Sequence, residues 1–185
     1  SLATLEINSS LAASEESLAT LSSSLPAFSF ASSVLSLIAL TSAMRIFVTG
    51  ATGFIGGRLA LRLKKQGHEV IALARASSNV QALVEAGIQI AAGDITQPDT
   101  LREPMRNADR VYHVAAWYEI GAADATRMRT VNVDGTRHVM TEALRQGVPN
   151  VVYCSTVAVL GPNRNGPGDE SQKNDGAPRS HYETT

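Results

Sequence analysis

The sequence has 185 residues, which is enough for one ordinary domain and too short for two of comfortable size. Apolar residues make up 44% and charged residues 18%, so the chain can form a packed core and is not disordered throughout. Lys and Arg number 16 against 17 Asp and Glu, a net charge of -1 that gives no basic surplus for nucleic acid. A single cysteine excludes an internal disulfide framework, and the four histidines are too scattered to indicate a metal site.

Residues 1–43 differ in composition from the rest of the chain. They contain 13 Ser and no Lys or Arg, and the pentad Ser-Leu-Ala-Thr-Leu occurs at 1–5 and again at 17–21, a sign of low complexity. The uncharged stretch 27–43 raises a membrane helix as one interpretation, but serines dilute it and no positive cluster flanks it. We predict that residues 1–43 are an extension outside the fold, that Met44 is the natural start, and that the protein is cytoplasmic without a membrane span.

From residue 44 onward, short apolar strands alternate with amphipathic helices. Strands are predicted over 45–49, 68–73, 88–92, 110–114 and 150–154, and helices over 54–66, 79–86, 97–107 and 122–146. The first helix has Ile55, Leu59 and Leu63 on one face, and glycines end three of the helices. This alternation predicts an α/β fold over 44–185, a doubly wound parallel sheet in strand order 3-2-1-4-5.

The segment Thr49-Gly-Ala-Thr-Gly-Phe-Ile-Gly56 lies between the first strand and the first helix, the context that indicates a dinucleotide-binding loop. Gly50 permits the tight turn, Gly53 lets the backbone approach a pyrophosphate, and Gly56 allows close packing of helix on strand. The helix N-terminus at Phe54 and Ile55 offers free N–H groups and a partial positive charge to the phosphates. These five residues are therefore predicted to bind the cofactor.

The residue that follows the second strand sets the cofactor preference. A carboxylate at this point would accept hydrogen bonds from a ribose 2′-hydroxyl, but the sequence has Ala74-Arg-Ala-Ser-Ser78, with Arg75 19 residues after Gly56. A guanidinium pairs bidentately with a 2′-phosphate. We predict NADP as the cofactor, with NAD as the alternative if Arg75 is only a solvated loop residue.

Together these residues resemble the extended short-chain dehydrogenase/reductase family, the NAD(P)-dependent epimerase/dehydratase group, and within it the dihydroflavonol-reductase-like branch. Further motifs agree with the resemblance: Gly93-Asp94-Ile95, His113-Val114-Ala115-Ala116, Asn132-Val-Asp-Gly-Thr136, Ser155-Thr-Val-Ala-Val-Leu-Gly161 and Tyr182-Glu-Thr-Thr185. The resemblance implies that Asp94 and Ile95 contact the adenine half of the cofactor and that Val114, Ala115 and Ala116 line its turn. Asn132 is expected to bind cofactor or backbone.

The resemblance also implies a proton-transfer group. Tyr182 would be the general acid/base, its pKa lowered by a lysine four residues later, at position 186. The sequence stops at Thr185, so the 185-residue chain is expected to be catalytically silent and to be the N-terminal part of a longer protein. Thr156, or Ser155 beside it, would hydrogen-bond a substrate oxygen; the alternative is that both hydroxyls cap backbone groups.

The expected function is an NAD(P)-dependent oxidoreductase or epimerase/dehydratase that transfers hydride on a ketone or nucleotide-sugar substrate. Trp117 and Tyr118 would face the substrate cleft, or else pack under a loop, and Cys154 is interpreted as a buried small hydrophobe. The partners expected are a small-molecule substrate and, in the complete protein, a second copy in a homodimer, with no nucleic acid and no membrane. The alternative from another class is a nucleotide-sensing regulatory or scaffold protein without catalysis.

Overall fold

The computed structural model describes residues 43–118, 124–161, 166, 169, 171 and 180–185. In this part of the chain the five predicted strands are all present and are joined by helices or helical turns. The strands are β1 (Arg45–Thr49), β2 (Glu69–Ala74), β3 (Gln89–Ala92), β4 (Arg110–His113) and β5 (Val151–Tyr153). The α-helices are α1 (Phe54–Lys65), α2 (Gln81–Glu85), α3 (Ala125–Arg129) and α4 (Thr136–Arg145).

The strands form one parallel sheet in the order β3-β2-β1-β4-β5, which confirms the predicted 3-2-1-4-5 topology. In the central strand, Phe47 pairs in register with Ile71 of β2 on one side and with Val111 of β4 on the other. The chain reverses its winding direction between β1 and β4. Such a switch point is where open α/β sheets form a crevice for ligands at the carboxyl ends of their strands.

Two apolar cores lie on opposite faces of the sheet, so the sheet is covered on both sides as predicted. On one face Ile46 and Val48 of β1 pack with Ala60 and Leu63 of α1. On the other face Phe47 packs in a cluster whose members include residues of α4 and of the segment after β3. Successive residues of β1 therefore serve different cores, which is why the strand is apolar at every position from 46 to 48.

Helix α1 differs from its predicted pattern at its first turn. Leu63 is buried and Leu59 is partly buried against the core, as expected, but Ile55 is 60% exposed. The reason is that the helix begins at Phe54, so Ile55 lies beside the strand ends rather than over the sheet. At the other end, Gly67 has φ +89, the left-handed conformation predicted to stop this helix.

The prediction of a helix over 97–107 is wrong. The structure has a single 3-10 turn, Pro98–Leu101, followed by further turns up to residue 107. Pro104 lacks an N–H and cannot continue an α-helical ladder, and Asn107 has a left-handed φ of 56 that no helix interior accepts.

The long helix predicted over 122–146 is interrupted. It consists of α3, a π-helical segment at Thr130–Gly135 and α4, while residues 122 and 123 lie outside the described residues. The Thr130 hydroxyl donates to the carbonyl of Thr126, so it competes with the regular backbone ladder where the π segment begins. Across the interruption, Gly135, Val139 and Ala143 are buried.

Residues 1–42 lie outside the described residues, so the predicted extension and its membrane interpretation stay predictions there. No helix in the described part of the chain is long and apolar enough to cross a membrane. Among the same residues, no three His, Cys, Asp or Glu side chains come together as metal ligands would.

Candidate active site

A cleft of about 850 Å³ opens where the carboxyl ends of the five strands meet, a volume typical of small-molecule sites. Each strand contributes the residues that directly follow or end it, and the first turns of α1 and the inner side of α3 complete the walls. The described lining residues are Thr49, Gly50, Thr52, Gly53, Phe54, Ile55, Gly56, Leu73, Ala74, Arg75, Ser78, Gly93, Asp94, Ile95, Val114, Ala115, Ala116, Trp117, Arg127, Val131, Cys154, Ser155, Thr156 and Tyr182. The topology thus brings residues more than 130 positions apart in sequence into one cavity.

The glycine loop between β1 and α1 is packed too closely for side chains. Gly50 has φ +75, and a Cβ there would lie 2.7 Å from the backbone nitrogen of Ala115. A Cβ on Gly56 would lie 2.2 Å from the carbonyl oxygen of Gly50. The backbone N–H of Gly53 donates to that same carbonyl over 3.0 Å and closes the turn. The start of α1 therefore faces the cleft with its unpaired N–H groups, as an anion-binding helix terminus does.

Arg75 is the first residue after β2, and its side chain is exposed and lines the cleft. The backbone N–H of Ser78 donates to the Arg75 carbonyl over 2.9 Å, so a tight turn holds the backbone of this arginine. Among the described residues, no carboxylate pairs with its guanidinium. Asp94 is the one carboxylate that lines the described cleft, and it follows the neighbouring strand β3.

The loop after β3 is fixed by its own hydrogen bonds. The Asp94 carboxylate accepts from the backbone N–H and the hydroxyl of Thr96, both over 2.9 Å. The Asp94 backbone N–H donates to the hydroxyl oxygen of Thr100 over 3.1 Å. The π-helical segment packs directly on this loop, because a Cβ on Gly135 would lie 2.7 Å from Cδ1 of Ile95. The loop geometry therefore places Asp94 and Ile95 in the cleft wall.

Beneath the cleft, His113 at the end of β4 is fully buried between two threonine hydroxyls. Its Nδ1 lies 2.7 Å from Oγ1 of Thr49, and its Nε2 lies 2.9 Å from Oγ1 of Thr136. Thr49 in turn accepts from the backbone N–H of Ala115 over 3.2 Å. Burial lowers the pKa of His113 to about 4, so the imidazole is neutral at pH 7 and supplies one donor and one acceptor. The ring ties β1, β4 and α4 together directly below the cofactor-lining turn.

Asn132, in the π-helical segment, binds backbone. Its Oδ1 accepts from the N–H of Trp117 over 2.7 Å, and its Nδ2 donates to the carbonyl of Trp117 over 3.0 Å. The same Nδ2 donates to Oγ1 of Thr185 over 3.1 Å. Asn132 is the one residue predicted to contact the cofactor that does not line the cleft, because its amide is engaged with these groups. It fixes the Trp117 backbone beside the segment that carries Tyr182.

The catalytic residues expected from the resemblance come together at one end of the cleft. Tyr182, Ser155 and Thr156 all line it, with Tyr182 and Thr156 half-buried and Ser155 exposed. Thr156 also caps the 3-10 turn that follows, since its Oγ1 accepts from the N–H of Ala158 over 3.3 Å. The capping alternative therefore applies to Thr156, yet its own O–H is left to donate. The ring of Tyr118 meets that of Tyr182 edge-on, at 4.8 Å and 75°.

Comparison with known proteins identifies the family that has this cleft. The sequence model of the NAD dependent epimerase/dehydratase family matches residues 46–185. The chain belongs to that family. It lies among the extended short-chain dehydrogenases/reductases, as its motifs predicted, and its sheet is the family's Rossmann fold.

Two curated family members illustrate the relationship. The chain is 38% identical over 127 residues to sterol demethylase protein B of Methylococcus capsulatus. The aligned region covers 69% of this chain and 39% of that protein. It is 39% identical over 126 residues to a putative dihydroflavonol 4-reductase of Synechocystis. Here the aligned region covers 68% of this chain and 36% of the relative. The chain therefore spans less than two fifths of the length of these relatives.

Among solved structures of the family, a UDP-glucose 4-epimerase of Thermus thermophilus in complex with NAD superposes with a TM-score of 0.67. The two chains are 25% identical, and the match covers 76% of this chain and 47% of that one. Every predicted cofactor residue except Asn132 lines the cleft, and their role in cofactor binding stays a prediction.

Sequence reasoning missed two features of the cleft. One is the His113 network, for which the only signal was the position of the histidine directly before the cofactor-lining turn. The other is Arg127, which faces the cleft from α3 and had no motif to mark it. Cys154 was interpreted as buried, but it is exposed and lines the cleft, because β5 ends at Tyr153 before reaching it.

Proposed function

We propose that the protein is an NADP(H)-dependent oxidoreductase that acts on a carbonyl/hydroxyl pair of a small-molecule substrate. The observation that carries the proposal is the placement of Arg75, whose guanidinium has no carboxylate partner among the described residues and lines the same cleft as the glycine loop. Family membership supports nicotinamide chemistry in general, and Arg75 supports the 2′-phosphorylated cofactor in particular.

The residues at the strand ends fit a dinucleotide. Gly50 and Gly56 leave no space for side chains where the chain turns, so backbone N–H groups alone would hold the phosphates at the start of α1. Arg75 would hold the 2′-phosphate, and Asp94 with Ile95 would flank the adenine. Ala115 and Ala116, small side chains above the His113 network, would leave room for the rest of the cofactor.

When bound, the nicotinamide supplies hydride transfer, and the side chains at the other end of the cleft supply the proton chemistry. Tyr182 would donate or accept the proton at its phenolic oxygen, and Thr156 or Ser155 would donate a hydrogen bond to the substrate oxygen. Trp117, fixed through its backbone by Asn132, would orient the substrate.

A tyrosine with an ordinary pKa near 10 is a poor proton acceptor at neutral pH. We therefore propose that turnover requires a lysine at the position after Thr185, together with the residues that complete the substrate side. The residues that would hold the dinucleotide all lie within 50–116, so the 185-residue polypeptide is expected to bind dinucleotide without turning over substrate.

The cofactor proposal is tested by titration calorimetry of NADPH and NADH. Changing Arg75 to Ala should weaken NADPH by about 1.5–3 kcal/mol, the value of a charge-assisted hydrogen bond, which is roughly 10- to 150-fold in Kd. NADH binding should be unchanged, because NADH has no 2′-phosphate. Arg62→Ala is the control, since Arg62 is an exposed arginine of α1 that does not line the cleft. Equal affinity of the unaltered protein for the two cofactors would refute the proposal.

A further inference from the structure

Arg127 is a second arginine that lines the cleft, and its helix packs beside the proposed catalytic residues. It lies on α3, the helix that packs against the turn Tyr182–Thr184. Its guanidinium stands over the ring of Trp117, with 5.0 Å between its Cζ and the ring centroid. The side chain thus contacts the residue expected to orient the substrate, and its helix packs against the turn that carries the tyrosine expected to exchange its proton.

No carboxylate neutralises Arg127 among the described residues. Five other arginines in the same part of the chain do pair with a carboxylate: Arg45, Arg102, Arg106, Arg137 and Arg145. The nearest acidic residue in sequence, Asp124, instead accepts the backbone N–H of Arg127 over 2.8 Å and caps the helix. Within the described residues, Arg127 therefore brings to the cleft a positive charge that no carboxylate pairs with.

A cation–π contact leaves the N–H donors of a guanidinium available, because the ring attracts the positive charge and accepts no conventional hydrogen bond from it. Two parallel N–H groups on one edge of the guanidinium, its hydrogen-bonding fork, match two oxygens of a carboxylate or a phosphate. The contact with Trp117 also restricts the side chain before a ligand binds, which lowers the entropy cost of binding.

We propose that Arg127 binds an anionic group of the substrate, a carboxylate or a phosphate, and so selects substrates that carry such a group near the reacting carbon. The proposal rests on the proposed function, because it assigns the catalytic end of the cleft to the substrate. The dinucleotide phosphates are expected at the start of α1 and at Arg75, whereas Arg127 contacts Trp117 and its helix packs against the Tyr182 turn.

The test uses the complete protein saturated with NADP⁺ and two matched pairs of probes. One pair is UDP with uridine, which differ in a diphosphate, and the other is cholate with methyl cholate, which differ in a free carboxylate. Calorimetry gives the Kd ratio of the neutral to the anionic member of each pair. We expect one ratio to be at least about 10, to fall below about 3 in Arg127→Gln, and to be intermediate in Arg127→Lys, since a lysine keeps the charge without the fork.

Arg129→Gln is the matched control, because Arg129 is an exposed arginine of the same helix that does not line the cleft. It removes the same charge and should leave both ratios unchanged. A loss of affinity for the neutral probe as large as the loss for the anionic one would overturn the proposal, since it would mean that Arg127 only supports Trp117. Ratios near 1 in the unaltered protein, or an equal fall in Arg129→Gln, would overturn it as well.

The same measurements separate this proposal from the cofactor proposal. If NADPH still binds more tightly than NADH while the probe ratios do not depend on Arg127, only the anion site is refuted. If the protein binds neither dinucleotide, the proposed function fails, and saturation with NADP⁺ cannot be reached. In Arg127→Gln the Kd of NADP⁺ itself should be unchanged.

Discussion

The two ends of the cleft are built in different ways. At the end proposed to bind the dinucleotide, the dinucleotide end, backbone contacts decide the shape: Gly50 and Gly56 exclude side chains, and the strands beneath them are buried. At the catalytic end, side chains decide it: Trp117 lies under Arg127, and Tyr118 meets Tyr182. The sheet differs as well, since the three residues of β5 are 36–46% exposed.

This difference indicates how one fold serves many substrates. Backbone geometry at the start of α1 depends on a few glycines and on the buried sheet, so it tolerates little change without loss of the site. The catalytic end is assembled from exposed side chains on separate segments, which substitutions alter at small cost to the fold. We therefore expect cofactor binding to be tied to folding and substrate choice to be set by a handful of surface contacts.

The largest effect is expected at the catalytic end. Tyr182→Phe in the complete protein should lower kcat by roughly 10²- to 10⁴-fold, because it removes the proton-transfer group and keeps the ring. Steady-state turnover and NADPH titration measure the two functions separately, and the Kd of NADPH should not change. Tyr118→Phe, the neighbouring ring, is the control. Wild-type turnover by Tyr182→Phe would remove this tyrosine from the mechanism and leave the catalytic end without its proposed acid/base.

The dinucleotide end should respond to pH through His113. Because its folded pKa is about 4 and its unfolded pKa about 6.5, the unfolded state binds more protons between these values. Stability therefore falls as the pH drops through that range, by about 3 kcal/mol at pH 4 from this residue alone. Urea unfolding at pH 7, 5.5 and 4.5 measures the slope.

The control for this prediction removes the titration and retains a polar side chain. In His113→Asn the fall in stability between pH 7 and 4.5 should be smaller than in the unaltered protein, whatever the absolute stability of the variant. His181→Asn removes an exposed histidine and should leave the fall unchanged. An identical pH dependence in His113→Asn and the unaltered protein would contradict the assignment.

The fold was largely predictable because its strongest signals are local. The strand order was predicted from runs of apolar residues and from three glycines that end helices. The proposed dinucleotide end was predicted from the glycine loop. The 97–107 helix failed because Pro104 and Asn107 set backbone conformations that outweigh the weak periodicity there. The π-helical segment at Thr130–Gly135 could not be predicted, since a threonine hydroxyl that donates to the carbonyl four residues earlier also occurs in regular helices.

The catalytic end was predictable only through the family's motifs. Tyr182, Ser155 and Thr156 were placed in the cleft by resemblance, and the structure brings them together. Arg127 could not be placed, because its neighbour Trp117 is ten positions away and belongs to a different segment. Contacts between side chains of separate segments depend on tertiary packing, which single-sequence periodicity does not encode.

A smaller effect is expected on the stability of the protein when glycines of the loop are changed, and it should differ between Gly56 and Gly53. Gly56→Ala places a Cβ 2.2 Å from the Gly50 carbonyl oxygen, whereas the corresponding distance for Gly53→Ala is 3.3 Å, close to ordinary contact. Helix α1 or the loop must shift in the first variant, at a cost of roughly 1–3 kcal/mol, and much less in the second. Urea unfolding measures both. Equal stability losses would show that the loop yields easily and that the dinucleotide end is less rigid than its contacts indicate.

The smallest effect is expected from the ring contact between Tyr118 and Tyr182. Edge-to-face aromatic pairs are worth about 0.5–1.5 kcal/mol beyond the area they bury. If the contact holds Tyr182 in its reactive position, Tyr118→Leu should lower kcat by roughly 2- to 10-fold, the same energy expressed as a rate. Tyr118→Phe keeps the ring and should retain full kcat, while the Kd of NADPH should be the same in both. If Tyr118→Leu instead raises KM with kcat unchanged, Tyr118 binds substrate and does not position Tyr182. The geometry of the catalytic end would then depend on the hydrogen bonds of Asn132 with Trp117 and Thr185. These bonds join the segments that carry Tyr118 and Tyr182 from the buried side.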